Sequence, residues 1–236
     1  MNILRGLLFI IMLTLSQSSL SVDSGGNSVY IDQSNADSSS VSITQTGSNN
    51  TVGDPTSVAY PSFIIEGNSM FMTFTQDGMN NALTGNIIGG GTTANITQTG
   101  NSNSTNINMG VMGTASGLLN MTFTGSNNIS NMNIGILHDS GNYDYTALIT
   151  GSNNILTNTI NSKYVVDSFT VTGSNNTITT NQIGANGSNI VKGNNIAISN
   201  IGSNNVIGVT QDGTTNPNSV IINLTGSNAA VSVIQH

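Results

Sequence analysis

The sequence predicts an all-β chain: a β-solenoid of about eight stacked two-strand rungs, with a thin core between two parallel sheets. Three observations carry this. The tetrad Gly-Ser-Asn-Asn recurs at 47–50, 125–128, 151–154, 173–176 and 202–205, and degenerate copies begin at Gly78, Gly100 and Gly226. The leading glycines, at 47, 78, 100, 125, 151, 173, 202 and 226, are 22 to 31 residues apart. Self-similarity at a period of roughly 20 to 50 residues marks a stacked repeat. Short runs of alternating apolar and polar residues lead into these glycines, as expected of strands with one buried face.

Counting back by twos from each glycine gives the inward residues of the first arm. They are Val41, Ile43 and Gln45; Met72, Phe74 and Gln76; Ala94, Ile96 and Gln98; Leu119, Met121 and Phe123; then Ala147 and Ile149, Phe169 and Val171, and Val220, Ile222 and Leu224. Between them stand mostly threonines, among them Thr44, Thr97 and Thr170, which are β-branched, polar and suited to a solvated strand face. The phasing predicts Ile43, Phe74, Ile96, Met121, Ile149, Val171 and Ile222 buried and those three threonines exposed. A slip of one residue would invert the assignment.

The tetrad supplies the turn, because Gly and Asn tolerate positive backbone angles. Counting on from the glycine gives the inward residues of a second arm. They are Asn154, Leu156, Asn158 and Ile160; Asn176, Ile178, Thr180 and Gln182; Asn205, Ile207, Val209 and Gln211; and Ala229, Val231, Val233 and Gln235. One such layer is marginal alone. Stacked about 4.8 Å apart, eight would rise roughly 40 Å around a continuous core. Inward amides become tolerable in such a stack, because each finds its counterpart in the rungs above and below.

This pattern, alternation followed by Gln-x-Gly, Asn three residues after the glycine and Gln nine after it, resembles the curlin repeat of bacterial curli fibres. The turn glycines are Gly47, Gly78, Gly100, Gly125, Gly151, Gly173, Gly202 and Gly226, and the matching amides are Gln45, Gln76 and Gln98, then Asn50, Asn81, Asn103, Asn128, Asn154, Asn176 and Asn205, with Gln182, Gln211 and Gln235 closing. The resemblance runs from about Val29, where Val29, Ile31 and Gln33 suggest a partial extra rung, to the C-terminus. It implies a secreted subunit that crosses the outer membrane unfolded through a dedicated pore. Outside the cell such a subunit assembles with itself, and with a nucleating minor subunit, into amyloid fibres of the biofilm matrix. The pre-turn glutamine is replaced by Phe123, Ile149, Val171, Asn200 and Leu224 in later rungs, so the resemblance is to a divergent member. Val231 and Val233 continue the inward pattern almost to the C-terminus with no cap, and they are the expected self-assembly end.

Composition restricts the alternatives. Asn2 and Arg5 precede an apolar run from Gly6 to Leu15, and Ser19-Leu20-Ser21 offers a cleavage site, so residues 1–21 read as a secretory signal peptide and 22–236 as the repeat domain. Without Arg5, two lysines face ten acidic residues, too little positive charge to neutralise nucleic-acid phosphates. There is no cysteine, hence no disulfide and no thiolate metal site. His138 and His236 have no partner at ligand spacing, and the acids Asp54, Asp77, Asp139, Asp144, Asp167 and Asp212 are assigned to turns or strand ends as gatekeepers against premature aggregation. Gly89-Gly90-Gly91 lacks the Lys-Ser/Thr of a phosphate loop, and no Gly-x-Ser-x-Gly occurs. Neither catalysis, cofactor nor metal is expected. Two other functions fit a solenoid: an ice-binding surface made of outward Thr-x-Thr pairs such as Thr44/Thr46 and Thr97/Thr99, and an adhesin that never polymerises.

Overall fold

A computed structural model describes residues 26–34, 39–53, 63–66, 70–88, 92–107, 117–132, 143–161, 165–183, 195–212 and 218–235. The expected signal segment lies outside the described residues, as do His138, His236, Asp54, Asp139 and Gly89-Gly90-Gly91. The chain is a β-solenoid. Strands β1 (Ser28–Val29) and β2 (Ile31–Ser34) open it, and pairs joined by the glycine turns follow. These are β3 (Ser40–Ser48) with β4 (Thr51–Val52), continued by β5 (Phe63–Glu66), and β6 (Phe71–Met79) with β7 (Ala82–Leu83), continued by β8 (Ile87–Ile88). Then come β9 (Thr92–Gln98) with β10 (Ser104–Asn106), β11 (Gly117–Thr122) with β12 (Ile129–Asn131), and β13 (Tyr143–Ile149) with β14 (Ile155–Asn161). The last are β15 (Val165–Val171) with β16 (Thr177–Ile183), β17 (Asn195–Ile201) with β18 (Val206–Asp212), and β19 (Ser219–Thr225) with β20 (Ala230–Gln235).

First arms form an eight-stranded sheet in the order β19-β17-β15-β13-β11-β9-β6-β3. Second arms form a nine-stranded sheet, β1-β4-β7-β10-β12-β14-β16-β18-β20, whose additional member β1 is the partial rung suggested by Val29. Strands pair in parallel with the repeat in register: Ile43, Phe74, Ile96 and Met121 are successive partners, as are Phe169, Ile198 and Ile222. A third sheet, β2-β5-β8, was not foreseen. It arises because the second arms of the early rungs break and then pair again further along. One break is at Gly53, where φ is +88° and an added Cβ would press on the Tyr30 carbonyl.

The side chains that line the space between the sheets follow the alternation. Phe74, Ile96, Met121, Ile149, Val171 and Ile222 are buried, and Thr44 is exposed. Ile43 is only half-buried, contrary to expectation, because β3 ends its sheet and Phe74 covers one side alone. Thr97 and Thr170 are half-exposed rather than open. Their register neighbours, Thr75 and Thr122 for one and Leu148 and Ser199 for the other, shield them from above and below.

One acid corrects the gatekeeper assignment. Asp167 lies in the middle of β15, six residues before Gly173 and therefore on the inward phase, and only 2% of it is exposed. Asp77 is exposed beside its turn and Asp212 ends β18, as expected. Around Asp167 the core is polar: Gln182 Nε2 donates to its Oδ1 at 3.1 Å, and the buried Tyr145 hydroxyl donates to Asn158 Oδ1 at 2.7 Å. Burial drives the Tyr145 phenol far above its usual value and pushes the Asp167 carboxyl up to about 8, the Gln182 hydrogen bond offsetting only part of the desolvation. Asp167 Oδ2 and Gln182 Oε1 are both buried without a partner. A proton on Asp167 Oδ2 removes the charge that burial penalises and turns that orphaned acceptor into a donor.

Between the ordinary carboxyl value of 3.8 and about 8, the folded chain therefore holds a proton that the unfolded chain releases. Stability falls as pH rises through that window and levels off above it. Urea midpoints should drop between pH 4 and pH 8 for the native chain and change much less for Asp167→Asn, whose amide carries its own proton. A midpoint that rises with pH in the native chain would refute protonated burial of Asp167.

Candidate functional site

The repeated turn is the densest concentration of specific contacts, and each letter of Gly-Ser-Asn-Asn has a separate task in stacking. The glycines form one column. A Cβ built on Gly47 would run into the Gly78 carbonyl, one on Gly78 into that of Gly100, and the series continues through Gly125, Gly151, Gly173 and Gly202 to Gly226. At Gly125, Gly151 and Gly173 the backbone is not left-handed, so glycine is required there by the carbonyl packed against it rather than by its turn angles.

The left-handed position belongs to the third residue. Asn49, Asn80, Ser102, Asn127, Asn153, Asn175, Asn204 and Asn228 have φ between 55° and 59°. Asparagine adopts this region at the least steric cost after glycine. Serine, the second letter, carries a backbone bond between rungs. The N–H of Ser126 donates to Ser152 Oγ at 3.0 Å, that of Ser152 to Ser174 Oγ at 3.1 Å, that of Ser174 to Ser203 Oγ at 3.1 Å, and that of Ser203 to Ser227 Oγ at 3.0 Å. Each serine thus reaches back to satisfy the rung before it.

The fourth letter reaches forward. Asn27, Asn50, Asn81, Asn103, Asn128, Asn154, Asn176 and Asn205 are buried, and the Oδ1 of each accepts the backbone N–H at the same position in the next rung, at 2.9 or 3.0 Å throughout. Except at Asn103, whose Nδ2 donates to Thr99 O at 2.6 Å and to Asn81 Oδ1 at 3.1 Å, the Nδ2 groups donate to the next rung's turn-glycine carbonyl, as from Asn50 to Gly78 at 2.9 Å, Asn154 to Gly173 at 2.8 Å and Asn205 to Gly226 at 2.8 Å. Amide-to-amide bonds, the expected mode, supplement this in the middle of the stack, for instance from Asn154 Nδ2 to Asn128 Oδ1 at 3.1 Å.

The glutamines divide. Gln182, Gln211 and Gln235 form the expected ladder, with steps of 3.1 and 3.0 Å. Gln45 donates to Gln76 Oε1 at 2.7 Å, but there the pre-turn series stops. Gln76 and Gln98 instead send Nε2 across the core to the second arm, to Thr51 O at 3.1 Å and Ala82 O at 3.0 Å. Beyond Gln98 the equivalent position is Phe123, so there is no amide to continue to. Val231 and Val233 lie on β20, an end strand, and are half-buried.

Among the described residues no three His, Cys, Asp or Glu side chains come together as a metal cluster, and no helix is long and apolar enough to cross a membrane. Compared with protein-family models, curated proteins and solved structures, the chain matches none.

Removing one forward-reaching amide should be costly. Asn154→Ala leaves the Asn176 N–H without its acceptor and the Gly173 carbonyl without its donor, worth about 2–4 kcal/mol in urea unfolding. Asn153→Ala loses only left-handed preference at an exposed position, about 1 kcal/mol. Equal effects from the two would mean that the buried ladder does not hold the rungs together. Gly151→Ala should exceed both, because its methyl meets backbone that cannot move without separating strands.

Proposed function

We propose that this chain is a secreted structural subunit that polymerises into extracellular curli-like amyloid fibres. Its partner is first of all another copy of itself. The reading also places it with an outer-membrane pore for export and a nucleating minor subunit, at the cell surface in a biofilm matrix. One observation carries the polymeric part. The apolar side chains that pack on the core yet remain partly open are Val29, Ile31, Val41, Ile43, Leu224, Val231 and Val233, and every one lies on β1, β2, β3, β19 or β20. Each of these strands stands at the end of a sheet. The interior of the stack thus continues to both end faces among the described residues, where a monomeric solenoid would carry a polar or bulky cap. Edge strands of this kind template further strands.

The ice-binding alternative draws support from Thr44, Thr75, Thr97 and Thr122, which stack in register as an unbroken outward column. The column is interrupted at Leu148, which is 41% exposed, and the neighbouring column contains Asp77 and Ile201. A flat hydroxyl-and-methyl lattice therefore spans only part of the stack, and the open ends favour self-assembly.

Purified mature chain held without denaturant at micromolar concentration should form fibres that bind amyloid dyes. Val231→Asp combined with Val233→Asp should slow elongation about tenfold or more, because a docking rung must desolvate the new carboxylates. A native chain that stays monomeric for days while depressing ice growth would overturn this reading in favour of the ice-binding surface.

A further inference from the structure

The forward-reaching asparagine column ends one rung early. Ala229 occupies the fourth turn position in the last rung: its N–H donates to Asn205 Oδ1 at 2.9 Å, and its carbonyl accepts the Val206 N–H at 2.9 Å, as an asparagine's would. Only the side chain differs. In every earlier rung that side chain offers an acceptor to the following rung's backbone N–H, and in all but the Asn103 rung it also offers a donor to the following glycine carbonyl. The last rung offers a methyl instead. The rest of the C-terminal face keeps the features of an interior layer. Gly226 has nothing within 4 Å of where its Cβ would be, Val231 and Val233 are half-open, and the Gln182–Gln211–Gln235 ladder runs to the edge.

We propose that Ala229 is a built-in break in the asparagine ladder, which makes the C-terminal face a deliberately weak docking surface for a second copy of this chain. The inference rests on the self-assembly reading above. Whichever asparagine of the incoming copy stands over Ala229, its N–H lacks the acceptor that its counterparts inside the subunit have, and its turn-glycine carbonyl lacks the donor. The strand ladder, the apolar columns and the glutamine column continue across the junction; the asparagine column does not. Subunits are therefore joined less tightly than the rungs within them, and the assembly comes apart at junctions as folded units rather than by unravelling.

The test compares the native mature chain with Ala229→Asn and Ala229→Val, reading two quantities: the soluble concentration left when assembly has reached its plateau, and the urea midpoint of the monomer. Ala229→Asn should lower the residual soluble concentration about tenfold or more, equivalent to about 1.4 kcal/mol per junction. It should leave the monomer midpoint unchanged, because among the described residues no rung follows for the new amide to bond. Ala229→Val adds bulk without the amide and should not lower the soluble concentration. An unchanged soluble concentration in Ala229→Asn, or an equal fall in Ala229→Val, overturns the inference while leaving self-assembly standing. If the native chain stays soluble and Ala229→Asn assembles, the native self-assembly reading fails and the break is upheld as a stop. If both stay soluble, both fail.

Discussion

Parallel strands about 4.8 Å apart bring each residue against its own counterparts in the neighbouring rungs, and this spacing is the constraint that the rest of the structure answers. A buried amide in an ordinary core needs a partner of different chemistry at a particular place. Here the partner is supplied by repetition. The Asn Oδ1 always faces the next Asn N–H at 2.9 or 3.0 Å, because the next rung is the same rung displaced. The same displacement brings each turn-glycine carbonyl to where a side chain on the preceding glycine would be. From Ser126 to Ser203 serine satisfies the backbone behind it and asparagine the backbone ahead, so these turns are bonded in both directions by their own side chains.

Much of this was legible in the sequence because it depends on period and phase. Five intact tetrads fixed the turns, and counting by twos separated Phe74 and Ile96 from Thr44. The parts that were not legible depend on direction along the stack. Nothing in a one-dimensional repeat says that serine points back and asparagine forward. Nor does it say that Gly151 is required by the Gly173 carbonyl rather than by its own φ. Asp167 stands two residues before Phe169 on the same inward phase, so period and phase place it in the core where carboxylate chemistry alone points to solvent. The third sheet escaped notice because its strands follow breaks whose irregular spacing carries no periodic signal.

The scarcity of charge has the same origin. A charged residue repeated on every rung would stack like charges about 4.8 Å apart in a column, which is destabilising for directly opposed strands. Only 6% of residues are charged, and the acids in described strands have neutral register partners. Asp32 pairs with Ile64, Asp77 with Thr46, Asp167 with Ile196, and Asp212 with Ile183; Glu66 lies between Ser34 and Ile88, and Asp144 between Leu118 and Val166. Threonine fills the outward positions instead, because it stacks on itself without repulsion and favours strands.

Constancy of the turn also explains where the repeat is free to vary. The marker glycines are 22 to 31 residues apart, yet the asparagine ladder step hardly changes. Length differences therefore fall in the connections. The entropy of closing a loop grows only logarithmically with its length, so several extra residues there cost a fraction of a kcal/mol, about 0.6 for a doubling. One extra residue inside a turn would shift an entire arm by one position and exchange its buried and solvent faces. The chain can thus diverge widely between rungs while the four turn residues stay nearly invariant within it. The exception at Ala229 falls on the last described rung, whose N–H still bonds Asn205 Oδ1, so the ladder among the described rungs is complete without an asparagine side chain there.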